Sequence, residues 1–226
     1  PAPMRSSSVG QWISRLAQTD LFDREIPYWT SICEANPKAL PQDNPSGTNV
    51  VLHSAIVEKS LDEAATRKLL QEVPASYPVK TDAVLLAALY MTIHEWSGAN
   101  ELRIELESHG RPDIFDDIDL SRTVGWLTGL HPVLLQADCD ADAGAILLSV
   151  KETLSRIPHD GIGYGVLRHL RKSGALPAME GPAQIRFNYL GQMDNVFPQA
   201  SLFLPSGDKA GRLHGIAITA RERSRI

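Results

Sequence analysis

From Glu101 to Glu107 the chain alternates strictly, with Leu102, Ile104 and Leu106 on one side and Glu101, Arg103, Glu105 and Glu107 on the other. That period of two predicts a half-buried strand. Upstream, Trp12 and Leu16, then Phe22, Ile26 and Trp29, recur at roughly helical intervals and predict two helices with an aromatic inner face. Pro37 to Thr48 is rich in Pro, Asn, Ser and Gly and predicts irregular chain, and the β-branched VVLHSAIV segment after it predicts a strand. Ser60 and Glu63 satisfy an S-x-x-E capping box, and Leu61, Ala65, Leu69 and Val73 fall four apart, so a helix is expected from Ser60 to near Pro74. The almost continuous apolar run from Thr81 to Trp96 predicts a helix buried on most sides and closed by Ser97 and Gly98.

Further on, His131 to Leu135 predicts a second strand, and Asp142 to Ile157 a helix with Leu147, Val150, Leu154 and Ile157 on one face, stopped by Pro158. A short helix over Tyr164 to Leu170 is expected to follow. Ile185, Phe187 and Tyr189, alternating with Arg186 and Asn188, predict a last strand. Strands separated by helices give an α/β fold, a sheet with helices packed on it, without any fixed-period repeat. Pro1 to Ser7 reads as a linker, and the tail from Gly211 to Ile226 as ending without a closing element.

Composition narrows the function more than the fold. A hydrophobic content of 43% over 226 residues supports a substantial core, as one large or two small domains. The net charge of −5 supplies no basic field, so a nucleic acid partner is not expected. Cys33 and Cys139 stand far apart with no nearby His pair, which argues against both a disulfide framework and a metal site and for a reducing, cytoplasmic setting. No apolar run reaches the length of a membrane span and the N-terminus lacks signal-peptide order, so no membrane is expected.

Chemistry concentrates between Glu107 and Leu135, ESHGRPDIFDDIDLSRTVGWLTGLHPVLL. Alternation sets Glu107 opposite the Leu/Ile face where the strand ends, so its carboxylate faces solvent or a cavity. His109 reads either as a loop histidine that fixes the turn or as an acid/base group beside Glu107. Arg111 has Asp113, Asp116 and Asp117 as candidate partners. Gly125 permits close backbone approach, and Trp126 is either a large apolar wall or ordinary core. Asn188 and Tyr189 lie on opposite faces of an alternating strand, so at most one is expected to line a site directly. The G-x-G-x-G of Gly161 to Gly165 follows a helix and Pro158 rather than a strand, and no P-loop lysine comes after it, which argues against a nucleotide site.

The Glu107–Leu135 block resembles epimerization domains of nonribosomal peptide synthetases, in the condensation superfamily, whose usual text is close to EGHGRE followed by DLSRTVGWFTSLYPVLL. Segments Asp82–Leu89 (DAVLLAAL), Pro158–Gly165 (PHDGIGYG) and Phe187–Gln192 (FNYLGQ) agree in order and spacing. Peptide-bond-forming condensation domains usually carry a GxFxNTLP-like text where this chain has RTVGWLTGLHP. The chain departs at Pro112, where the family commonly has Glu, and at Leu127 and His131, where Phe and Tyr are more usual.

This resemblance, covering about Trp12 to Gln192, implies the C-terminal lobe of the two-lobed chloramphenicol-acetyltransferase-like fold, with residues 1–226 as one lobe and the N-terminal lobe absent. It implies inversion of an α-carbon, L to D, in a residue held as a phosphopantetheine thioester on a peptidyl carrier protein, with no cofactor or metal bound directly. Glu107 takes the place of the family's catalytic glutamate, and the resemblance sets Asn188 and Tyr189 near the site, Asn188 toward the thioester carbonyl; His109, Arg111 and Trp126 are further candidate substrate-binding residues, Arg111 toward the pantetheine phosphate. The family's opposite group is the second histidine of an HHxxxDG motif, and this sequence contains no HH pair. The chain alone is therefore expected to be inactive and to work with the N-terminal lobe and neighbouring synthetase domains. A condensation lobe, or a noncatalytic lobe that docks carrier protein, are the alternatives.

Overall fold

The computed structural model describes residues 8–48, 50–138, 141–171 and 174–191. The expected linker Pro1–Ser7, the tail Gly211–Ile226, Cys139 and Gln192 lie outside them. The first helix, α1 (Val9–Gln18), opens on a capping box that the helical spacing alone does not announce. The Ser8 hydroxyl accepts from Gln11 N at 3.2 Å while the Gln11 side chain accepts from Ser8 N at 2.7 Å, so two backbone donors at the helix start are satisfied reciprocally. A 3-10 turn (Leu21–Glu25) leads into α2 (Ile26–Glu34). Trp12, Leu16, Phe22 and Trp29 are all buried, as their spacing predicts.

Next come α3 (Glu63–Arg67), a π turn (Lys68–Glu72), α4 (Val73–Ser76) and the long α5 (Thr81–Ser97), which ends on a left-handed Gly98. Among the described residues three strands form the sheet: β1 (Glu101–Ser108) pairs antiparallel with β2 (Gly129–Gln136) and parallel with β3 (Ile185–Phe187), in the order β2-β1-β3. Between β2 and β3 lie α6 (Ala143–Ser155), started by the Asp142 carboxylate, and α7 (Ile162–Gly165), which runs into a π turn (Val166–Leu170).

Leu102 and Ile104 from β1 and Val133 and Leu135 from β2 join Leu86 and Tyr90 of α5 and Val150 of α6 in one core. A second core gathers Trp12, Phe22, Trp29, Ile162 and Leu167, so α1, α2 and α7 close on one another. The outcome is the expected α/β arrangement of a sheet with packed helices. Among the described residues, no helix is long and apolar enough to cross a membrane.

Four local expectations are corrected. The VVLHSAIV segment is irregular apart from a 3-10 turn at Val51–His53, and Leu52, Ile56 and Val57 are exposed. β-branched content makes a strand only where a neighbouring strand accepts its backbone, and no ladder among the described residues includes this segment. The helix expected from Ser60 begins at Glu63 instead, with the Asp62 carboxylate accepting from Ala65 N at 2.7 Å. An anionic N-cap satisfies the same orphan donor and also complements the helix dipole.

Pro74 does not end that helix. It sits in the first turn of α4, after the π turn, where its missing N–H breaks no regular ladder bond. Finally, Arg103 is only 4% exposed although alternation puts it on the polar row. Its guanidinium donates to the backbone carbonyls of Ala35, Glu180 and Gly181, so the end of α2 and the 180–181 turn cover that side of the sheet.

Candidate active site

Glu107 is the penultimate residue of β1, directly across from Leu130 on β2. Its side chain lines a cavity of about 1020 Å³, together with His109, Trp126, Asn188 and Tyr189. Five of the six residues singled out from the sequence therefore meet in one cavity. Arg111 is not among the lining residues.

The turn after Glu107 is fixed by backbone-directed bonds. His109 Nδ1 accepts from Arg111 N at 3.0 Å. Arg111 donates to Leu120 O at 2.7 Å and to Gly125 O at 3.0 Å, rather than to the aspartates expected as its partners. The planar guanidinium thus clamps both ends of the 120–125 stretch to the turn. Gly110 makes the crossing possible: it has φ +65°, and a Cβ there would stand 1.5 Å from Leu127 O. A left-handed conformation with backbone at that range admits only glycine.

Trp126, held at the lip by this loop, is 81% exposed, and Val124 is 97% exposed. Ordinary core is therefore excluded for Trp126. Asn188 and Tyr189 both line the cavity, against the expectation that at most one does. The reason is that β3 ends at Phe187, so strict alternation no longer governs the next two residues.

Lys80, Lys151, Asp160 and His131 also line the cavity, and none of them stands out as a site residue in the sequence. His131 shows there only as a departure from the family text, although the strand pattern already places it on β2, across from Leu106. Its ring is 3% exposed, lies edge-on to Trp29 at 6.0 Å, and has no hydrogen-bond partner at either nitrogen among the described residues. Gly161 makes room for it, since a Cβ there would fall 2.1 Å from His131 Nδ1. Burial pushes the His131 pKa down to about 4, opposed by the nearby Asp160 charge, so the imidazole is neutral near pH 7.

The turn carrying Asp160 (Pro158–Gly161) holds His159 and Asp160 at φ 43° and 51°, both in the left-handed region. Such backbone persists only where its surroundings fix it. The buried Glu25 carboxylate does so, meeting His159 Nδ1 at 2.6 Å and accepting from Trp29 Nε1 at 2.7 Å. Among the described residues no group of three or more His, Cys, Asp or Glu side chains is placed to hold a metal ion.

The family model for the condensation domain matches residues 3–213, and the chain belongs to that family. It is 43% identical over 196 residues to one of the linear gramicidin synthase proteins of Brevibacillus parabrevis, and 36% identical over 213 residues to surfactin synthase subunit 2 of Bacillus subtilis (strain 168). These matches cover 85% and 93% of this chain but 2% and 6% of those proteins. Among solved structures, the epimerization domain from the third module of tyrocidine synthetase B superposes with a TM-score of 0.74 at 32% identity, over 84% of this chain and 43% of that one. The X-domain from teicoplanin biosynthesis shares the fold, with a TM-score of 0.59 at 21% identity, over 78% of this chain and 40% of that one.

Proposed function

We propose that this chain is the C-terminal lobe of an epimerization domain, inverting the α-carbon of an aminoacyl or peptidyl residue from L to D while a carrier protein holds it as a phosphopantetheine thioester. One observation carries the reading above the others: Glu107, Asn188, Tyr189 and Trp126 line one cavity. The likeness to a solved epimerization domain supports it.

An α-proton beside a thioester is weakly acidic, so a positioned base must take it while its electron pair moves toward the thioester oxygen. Glu107 is that base. Asn188 donates its amide N–H to the oxygen where negative charge gathers, and Trp126 and Tyr189 wall the acyl chain. A new C–H bond then forms on the opposite face, with a proton from a second group. The resemblance gives that role to a histidine of the N-terminal lobe. His109 and Arg111 shape the turn that presents Glu107. The peptidyl carrier protein, the N-terminal lobe and neighbouring synthetase domains are the partners, and no cofactor binds directly.

The test is Glu107→Gln in the intact domain, with chiral analysis of the residue released from the carrier. Loss of D-product is expected, and undiminished inversion refutes the assignment. The family match is equally compatible with amide-bond formation. Offering an acceptor aminoacyl carrier distinguishes the two, because a condensation lobe yields dipeptide and an epimerization lobe does not. Neither product from the intact domain indicates a docking lobe.

A further inference from the structure

A second, smaller recess of about 260 Å³ adjoins the cavity that holds Glu107. Ile13 and Leu16 of α1, Leu130 of β2, and Ile162, Val166 and Leu170 of the α7 segment form its apolar wall. Trp126 and Thr128 line both spaces, so the recess lies directly beside the larger cavity.

The decisive relation is the pairing of Glu107 with Leu130. Residues directly opposite in an antiparallel pair share a face, with Cβ atoms about 4.5–5.5 Å apart. A base that takes an α-proton must reach the α-carbon, and the side chain leaves that same carbon one bond away. Leu130, the neighbour of Glu107 on the shared face, lines the recess.

We propose that this recess receives the side chain of the residue being inverted and selects an apolar one. The inference rests on the reading of Glu107 as the base. Among the described residues no Asp, Glu, Lys or Arg lines the recess, so an ammonium side chain meets no counter-charge there and a carboxylate has only Thr128 and His169 as polar neighbours, while an apolar side chain meets matching walls. The recess, about 260 Å³ against about 300–1,000 Å³ for a whole-ligand pocket, has room for a single side chain.

Ile13 provides the handle, since it lines the recess yet is 44% exposed and stands outside the core. The intact domain is supplied with alanyl, leucyl, phenylalanyl and glutamyl thioesters on the carrier protein, and kcat/KM for inversion is measured for each. The unaltered domain is expected to prefer leucyl and phenylalanyl over glutamyl by about tenfold or more, a usual discrimination for an apolar pocket. Ile13→Trp, which narrows the recess, is expected to lower the leucyl and phenylalanyl values about tenfold while alanyl turnover is kept. Ile13→Ala is expected to shift preference toward phenylalanyl.

A flat substrate series, or an Ile13→Trp loss equal for alanyl and leucyl, overturns the subsite while the epimerase reading stands. Absence of inversion for every substrate, alanyl included, overturns that reading and the subsite with it.

Discussion

The buried carboxylate of Glu25 meets the His159 ring at 2.6 Å, joining the start of the chain to a turn 134 residues later. The same carboxylate holds Trp29, and Gly163 packs on it so closely that a Cβ would lie 2.0 Å from Oε2. One acidic side chain thus fixes an aromatic core residue and a left-handed turn on the cavity wall. His159→Ala removes one of the two hydrogen-bond partners that this carboxylate has among the described residues. The expected cost is that of one lost part-buried hydrogen bond, about 1–2 kcal/mol, read as a fall in the urea midpoint at unchanged slope.

His131 makes stability depend on pH in a calculable direction. Its folded pKa of about 4 lies below the ordinary 6.5, so the unfolded chain takes the proton first. Stability from this group is full above pH 6.5 and is lost as the pH falls toward 4. The two and a half pKa units correspond to about 3 kcal/mol. His131→Leu is expected to flatten that part of the pH profile in urea unfolding. It should also raise stability at pH 7 by about 1–2 kcal/mol, because two unpartnered buried nitrogens disappear.

Gly110→Ala is expected to be among the most damaging single-methyl changes near the site. The added Cβ meets the Leu127 carbonyl and the residue must hold φ +65°, a combination worth about 3 kcal/mol or more. Thermal unfolding measures it, and inversion by the intact domain should fall with it because the turn presenting Glu107 must move.

Arg111→Lys tests the clamp. An ammonium cannot span both Leu120 O and Gly125 O in one plane, so at least one of the bonds is lost, at about 1–2 kcal/mol. A lower melting temperature is expected. If Arg111→Lys melts as the unaltered chain does, the clamp is not holding the loop.

The sequence is most legible where the signal is local. ELRIELE alternates over its whole length and forms β1, and the apolar run before it forms α5 within a residue or two of its expected ends. The residues that depart from expectation depend on distant partners. VVLHSAIV carries strand composition, but composition cannot say whether another strand lies beside it. Arg103 looks solvent-bound until the carbonyls of Ala35, Glu180 and Gly181 converge on it. The candidate site divides in the same way. Glu107 follows from alternation and strand end, whereas the joint arrival of Asn188 and Tyr189 depends on where β3 stops against β1. The exposure of Trp126 depends on a loop clamped from Arg111.

The parallel pairing of β1 with β3 has a consequence for how the molecule is made. Ile104 pairs with Ile185 and Leu106 with Phe187, about eighty residues further along the chain. A ribosome delivers β1, β2 and α6 well before β3, so the hairpin and its helices can form while one flank of β1 waits without a neighbour. Asn188 and Tyr189 arrive only with that late strand. The cavity beside Glu107 is therefore completed near the end of this stretch of synthesis, and an interruption before Ile185 leaves a hydrogen-bonding strand edge open to other chains.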